Sequence, residues 1–166
     1  MNRRISPGEF GTHIAPLLTA VINTTGDVFE MGSGDWSTPF LHALCAKEKR
    51  TLLTADTDKE WLSHFADLAR PWHKLVHVEL EWAWDYVGDQ KWGVVFVDHK
   101  PGDRRIHDIV RFKDKAQVIV VHDTENPGYG YEQVFKFFKY RYDYKRYNVW
   151  TTLVSNHHGV SEWFRT

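Results

Sequence analysis

Apolar positions recur along this chain in two rhythms that take turns. Ile14, Leu17, Leu18, Val21 and Ile22 fall at helical spacing behind Thr12, a residue suited to an N-cap, so the pattern predicts a helix over 13–22. A loop over 23–26 leads to a strand over 28–31. Proline is tolerated in a first helical turn, and Thr38-Pro39 opens a helix through about 46. A strand over 51–55 precedes a helix over 59–68 that carries Trp61, Leu62, Phe65 and Leu68 on one face. Strands follow over 74–78, 93–97 and 116–121. Between the last two runs a helix to about 113, for which Asp103 is the predicted cap.

Nearly unbroken apolar strands are typical of parallel sheets covered on both faces. Strand and helix in alternation predict an α/β fold, a doubly wound and mostly parallel sheet with helices on both faces. The end differs. A short helix over 131–137 precedes two β-rich runs, 138–144 and 149–155, joined by the hairpin-length segment 145–148, so the sheet closes with an antiparallel pair. No repeat, low-complexity tract or long linker divides the sequence. It reads as one domain over 1–166, with 1–10 an extended N-terminal segment.

Composition narrows the function classes. With 166 residues, 42% of them hydrophobic, a real core can form. A net charge of −1 gives no electrostatic pull toward nucleic acid or an anionic membrane. No apolar run approaches the ~20 residues of a membrane span, and the basic N-terminus has no apolar stretch behind it to make a secretory signal. The single cysteine, Cys45, lies in a predicted amphipathic helix as buried filler; without an internal disulfide, a cytoplasmic location is expected. A homo-oligomer is left open. Eight tryptophans and ten histidines supply cleft walls and proton or metal chemistry in quantity. His157-His158 reads as part of a loose tail.

Every predicted parallel strand ends in polar residues. They are Glu30 with Gly32-Ser33-Gly34, then Asp56, then Glu79, Glu81 and Trp82, then Asp98-His99, and last His122-Asp123-Thr124-Glu125. Ligands of open α/β sheets bind at those carboxyl ends. Two glycines flanking Ser33 let a ligand approach the backbone. The position of a third glycine in the dinucleotide fingerprint holds Ser37, and Glu30 suits a cationic or hydroxyl-rich ligand better than a phosphate. Asp56, about 20 residues on, stands where an acid accepts a ribose diol, and Asp58 suits a helix cap. Asp98, His99, His122 and Asp123 converge if their strands are neighbours. They could supply a histidine base oriented by a carboxylate, or hold Mg²⁺ through Asp98, Asp123 and Thr124 or a histidine. Arg104-Arg105 invites an acid or an anionic ligand, and the basic-aromatic run 136–147 is either an amphipathic strand or a stacking surface.

The stretch from Asp27 to Gly34 resembles motif I of class I S-adenosylmethionine-dependent methyltransferases, an acid and an apolar residue before Gly-x-Gly. The likeness extends to Asp56, to Val97-Asp98-His99 and to the terminal hairpin, and covers most of the chain from Gly11 onward; other segments resemble an uncharacterised branch of that superfamily. It implies a Rossmann-like sheet of order 3-2-1-4-5-7-6 and S-adenosyl-L-methionine as cofactor. Glu30, Gly32, Ser33 and Gly34 would lie beside the methionyl part, Asp56 at the ribose, and Glu81 or Trp82 near the adenine. It also implies that Asp98 and Asp123 match two of three Mg²⁺ ligands of one branch, with Thr124 in the third place. The function so implied is methylation of a small-molecule or glycan hydroxyl, with His99 or His122 as base. The competing readings are a non-catalytic binding module that uses 136–147 and a nicotinamide-dependent oxidoreductase.

Overall fold

Side-chain alternation in the central strands decides which helices they meet. In a computed structural model that describes residues 11–79 and 81–165, with only the backbone at Glu81 and Trp82, the elements run as follows. Helix α1 (Ile14–Ile22) leads to β1 (Val28–Met31), α2 (Ser37–Glu48), β2 (Leu52–Asp56), α3 (Lys59–Ser63) and β3 (His73–His77). Then come β4 (Trp92–Val97), α4 (Arg105–Phe112), β5 (Ala116–His122), α5 (Glu132–Phe135), β6 (Tyr140–Tyr144) and β7 (Thr151–Ser155). The predicted 1–10 segment lies outside the described residues.

The strands form one seven-stranded sheet in the order β3-β2-β1-β4-β5-β7-β6. Strands β1 to β5 pair in parallel, and β7 runs antiparallel to both β5 and β6. This is the doubly wound sheet that the sequence predicts. Its core has two layers. Val28, Val94, Phe96, Val118 and Val120 pack with Leu17 of α1 and Leu41 of α2. Phe29, Met31, Val95, Val97 and Val121 pack on the other face with Ile109 and Phe112 of α4 and Phe135 of α5. Every residue of β1 and β4 is buried, as strands covered on both faces must be. Among the described residues no helix is long and apolar enough to cross a membrane.

Several local expectations change. Thr12 does not cap α1: His13 takes the N-cap position without a side-chain cap, and the Thr12 hydroxyl bonds to His122 instead. Asp103 lies inside a 3-10 turn, Gly102–Arg104, so the N-cap of α4 falls to Arg104, which offers no acceptor. The helix over 59–68 breaks after Ser63 into a separate turn, Ala66–Leu68, while Asp58 caps its start by accepting from the Trp61 N–H at 2.9 Å. His157 and His158 are held rather than loose, since both backbone N–H groups donate to Ser155 Oγ at 2.9 Å.

Candidate active site

The turn after β1 is built around Gly32. Its φ of +91° favours glycine, and a Cβ there would lie 2.7 Å from the Asp98 carbonyl and from His99 Cα, so no side chain fits. Ser33 follows and donates both its N–H and its hydroxyl to Asp56 Oδ2, each at 2.7 Å. The Asp58 N–H donates to Asp56 Oδ1 at 2.9 Å. The Ser33 carbonyl accepts from the indole N–H of Trp61 at 2.9 Å. The carboxyl end of β2 and the first turn of α3 therefore clamp the glycine turn.

Two cavities open on this turn. One, of about 380 Å³, is lined by Gly32, Ser33, Asp56, Trp61, Asp98 and Lys100, among others. The second, of about 360 Å³, is bounded by His13, Trp36, Trp61, Asp98 and His122, together with Ser33 and its neighbours. Ser33, Trp61 and Asp98 are walls of both. Each volume lies in the range of small-ligand sites.

Parity separates the sequence candidates. Val97 is paired with Val121, so the next residues, Asp98 and His122, stand side by side on the face of α1. His122 Nδ1 lies 3.2 Å from Asp98 Oδ2 and 3.4 Å from Asp123 Oδ1, and its Nε2 lies 3.0 Å from Thr12 Oγ1. Burial alone would lower the His122 pKa. The hydrogen bond to Asp98 and the charges of Asp98 and Asp123 outweigh it and hold the ring above its ordinary value. Burial would likewise raise Asp98, but His122 and Arg105 hold that carboxyl below the usual range.

His99 does not join them. It faces α4, wholly buried, with Nε2 3.0 Å from Asp108 Oδ2 and its ring 4.8 Å from that of Trp84. His99 borders the first cavity beside Asp98, but adjacent residues of an extended segment point to opposite faces, so its ring turns toward α4 and away from His122. Glu30 is corrected on the same ground. It is fully buried beneath α2, accepting from Thr38 Oγ1 at 3.1 Å and Thr54 Oγ1 at 2.7 Å, and lines neither cavity. Burial raises its pKa to about 7.

The expected Asp98–Asp123 magnesium pair is bridged by a cation of the chain itself. Arg105 NH2 lies 2.9 Å from Asp98 Oδ1 and its NH1 3.3 Å from Asp123 Oδ2, while its Nε donates to the His99 carbonyl at 2.7 Å. A second cation between those carboxylates would meet the guanidinium, so the pair does not fit Mg²⁺. Thr124 is engaged elsewhere, accepting from Thr152 Oγ1 at 2.8 Å. Asp123 itself adopts φ 57°, a left-handed conformation that aspartate tolerates better than most residues. Arg104 is held by Asp85 and Asp108.

The sequence reading missed Thr12 and His13 as site residues and Trp61 as a wall. The tryptophan carried a signal, since it stands three residues after the Asp58 cap on the helix facing the glycine turn. The side chains of Glu81 and Trp82 lie outside the described structure. In the basic-aromatic run, Tyr142 stacks on Phe164 with centroids 4.3 Å apart, and Arg141 pairs with Glu132 and Asp143, as an amphipathic strand predicts.

The fold that carries this geometry is shared with several solved structures. The METTL16 MTase domain matches with a TM-score of 0.60 at 14% identity, over 89% of this chain and 67% of that one. Precorrin-6y C5,15-methyltransferase from Geobacter metallireducens GS-15 matches with 0.58 at 11%, over 85% and 86%. M. capricolum TrmK, in complex with S-adenosyl-homocysteine, matches with 0.55 at 12%, over 89% and 68%. The chain has the fold of class I methyltransferases. No protein-family model and no curated protein sequence matches it. At these identities the likeness is one of fold.

The residues present suit the adenosyl cofactor of that methyltransferase fold at two points. A carboxylate has about four acceptor positions, and Asp56 uses three, which leaves one for a ribose hydroxyl. Trp61 gives the first cavity an aromatic wall.

Proposed function

We propose that the protein transfers a methyl group from S-adenosylmethionine to a hydroxyl of a small molecule or sugar. Its fold and the acid at the end of β2 support the cofactor. The observation that carries the reading is Asp98, which borders both cavities and pairs with His122. Bound in the first cavity, S-adenosylmethionine supplies an electrophilic methyl group. Asp56 and the Ser33 turn hold the adenosyl end. Trp36 and Trp61 provide the aromatic walls of the second cavity, suited to a flat or sugar ring. A hydroxyl held there meets the Asp98–His122 pair, which accepts its proton as the carbon–oxygen bond forms. Alignment of the two reactants across the shared wall supplies the rest of the rate.

Isothermal titration calorimetry with S-adenosylmethionine and, separately, with NAD tests the cofactor. Micromolar binding of the first and no heat with the second is the expected result. Heat with NAD alone, or with neither, overturns the proposal.

A further inference from the structure

His13 has no counterpart in the reaction just described. The residue is 4% exposed, and its ring faces the second cavity and stacks edge-on against His122 with centroids 4.7 Å apart. Among the described residues neither ring nitrogen has a hydrogen-bond partner. The opposite wall is Phe96, 5.0 Å away between centroids, so an apolar side chain would fill the same space at no loss of hydrogen bonding. A buried imidazole with both nitrogens bare, aimed into a cavity, is a ligand group in want of a ligand.

Its neighbours have the matching chemistry. One donor atom from each of His13, Asp98 and His122 lies within 4.8 Å of the other two. When His122 Nε2 donates to Thr12 Oγ1, Nδ1 presents a lone pair to Asp98 Oδ2 at 3.2 Å. A lone pair and a carboxylate oxygen that close need a positive charge between them, either a proton or a metal ion. We propose that His13, His122 and Asp98 are three ligands of a divalent transition-metal site, of the zinc or iron(II) class, with an open position toward the second cavity. Two imidazoles and one carboxylate are a ligand set that suits such ions better than Mg²⁺. An ion bonded at ~2.1 Å in tetrahedral geometry holds its donor atoms ~3.4 Å apart, so a donor pair as wide as 4.8 Å closes by about 1.4 Å when the ion binds.

The surroundings are those of a supported site. Thr12 fixes the outer nitrogen of His122, and Arg105 holds the outer oxygen of Asp98 at 2.9 Å, as partners of metal ligands do. Asp123 adds a negative charge 3.4 Å from His122 Nδ1. The site differs from the Asp98–Asp123 arrangement that Arg105 blocks: it lies on the α1 side of the sheet and draws a ligand from the N-terminal helix. Without an ion the His122–Asp98 pair remains the proton acceptor; with one, a hydroxyl at the open position would be acidified by coordination.

The test uses Co²⁺ as a spectroscopic substitute, titrated into the intact chain without S-adenosylmethionine. One equivalent should bind with a visible absorption typical of nitrogen and oxygen ligation in low coordination, and Zn²⁺ should displace it. His13→Gln, which breaks no hydrogen bond among the described residues, should weaken binding at least tenfold, and His157→Gln, at an exposed position outside the cluster, should leave it unchanged. X-ray absorption of the zinc-loaded protein should show two imidazoles. Equal binding in the His13 variant, one equivalent lost in the His157 variant, or no binding at all overturns the site. Calorimetry with S-adenosylmethionine on the same samples reads the proposed function separately, so either can fail alone.

Discussion

Ser33 gives both of its donors to a single oxygen of Asp56, across the gap between β1 and β2, at 2.7 Å each. One acid thus shapes the glycine turn and retains an acceptor for a ligand. The two duties can be separated. Ser33→Ala removes the hydroxyl bond and keeps the backbone one, which frees an acceptor position on Asp56, so S-adenosylmethionine affinity should change less than about threefold. Asp56→Ala removes both duties, and hydrogen bonds to a charged group contribute about 1.5–3 kcal/mol each, so affinity should fall by about tenfold or more. Calorimetry on both variants checks this, and equal losses would mean that Asp56 acts on the turn alone.

The two glycines of the turn are unequal. Gly32 has φ +91°, and its missing Cβ faces backbone atoms at 2.7 Å that cannot move aside cheaply. A Cβ on Gly34 would meet only Ser37 Oγ at 3.2 Å, and no positive φ constrains that residue. Gly32→Ala should therefore destabilise the fold by about 3 kcal/mol or more, and Gly34→Ala by about 1 kcal/mol or less. Urea unfolding compares them directly. Similar losses at the two positions would refute the account of the turn.

The sheet was legible because both of its signals are local: apolar strand runs and amphipathic helices. The terminal hairpin was legible for the same reason. What misled was parity. Asp98-His99 and His122-Asp123 look alike as adjacent pairs, yet an extended segment sends neighbours to opposite faces. Counting in steps of two from Val94 and Phe96, which pack on α1 and α2, would have placed Asp98 on that face and His99 on the other. The same count from Val28 takes Glu30 under α2, away from both cavities. Thr12 and His13 could not be assigned from the sequence, because their partner His122 is 110 residues away from Thr12 and only the folded sheet brings α1 over it.

Glu30 makes stability depend on pH. Burial raises its pKa to about 7, against the opposing hydrogen bonds from Ser37, Thr54 and Thr38. The folded state therefore holds the proton more tightly than the unfolded chain, whose glutamate ionises near ~4.3. This contribution is fully present below that pH and is lost as pH rises through about 7. The gap between the two values amounts to about 4 kcal/mol, nearly all of it falling between pH 4 and pH 8. Glu30→Gln stays neutral throughout. Relative to the variant, the native protein should lose nearly all of that stability between pH 4 and pH 8. Urea unfolding of the two proteins at both pH values measures the difference, and parallel stability curves would show that Glu30 is already ionised at low pH.

His99 and Asp108 form a second buried pair, on the α4 side of the sheet. Asp108 is fully enclosed, with His99 Nε2 at 3.0 Å and the Nε atoms of Arg104 and Arg111 each at 3.5 Å. It fastens α4 to the loop after β4, and so fixes from behind the segment that carries Asp98. Removing one partner of a buried charged cluster costs about 3–5 kcal/mol, since the others remain in low dielectric. Asp108→Asn should approach that loss and His99→Gln should cost about 1–3 kcal/mol. Because the two side chains share one interaction, the double variant should lose less than the sum, by about 1 kcal/mol or more. Urea unfolding of the four proteins closes the cycle. Strict additivity would uncouple the pair and reopen the question of what a buried histidine does behind Asp98.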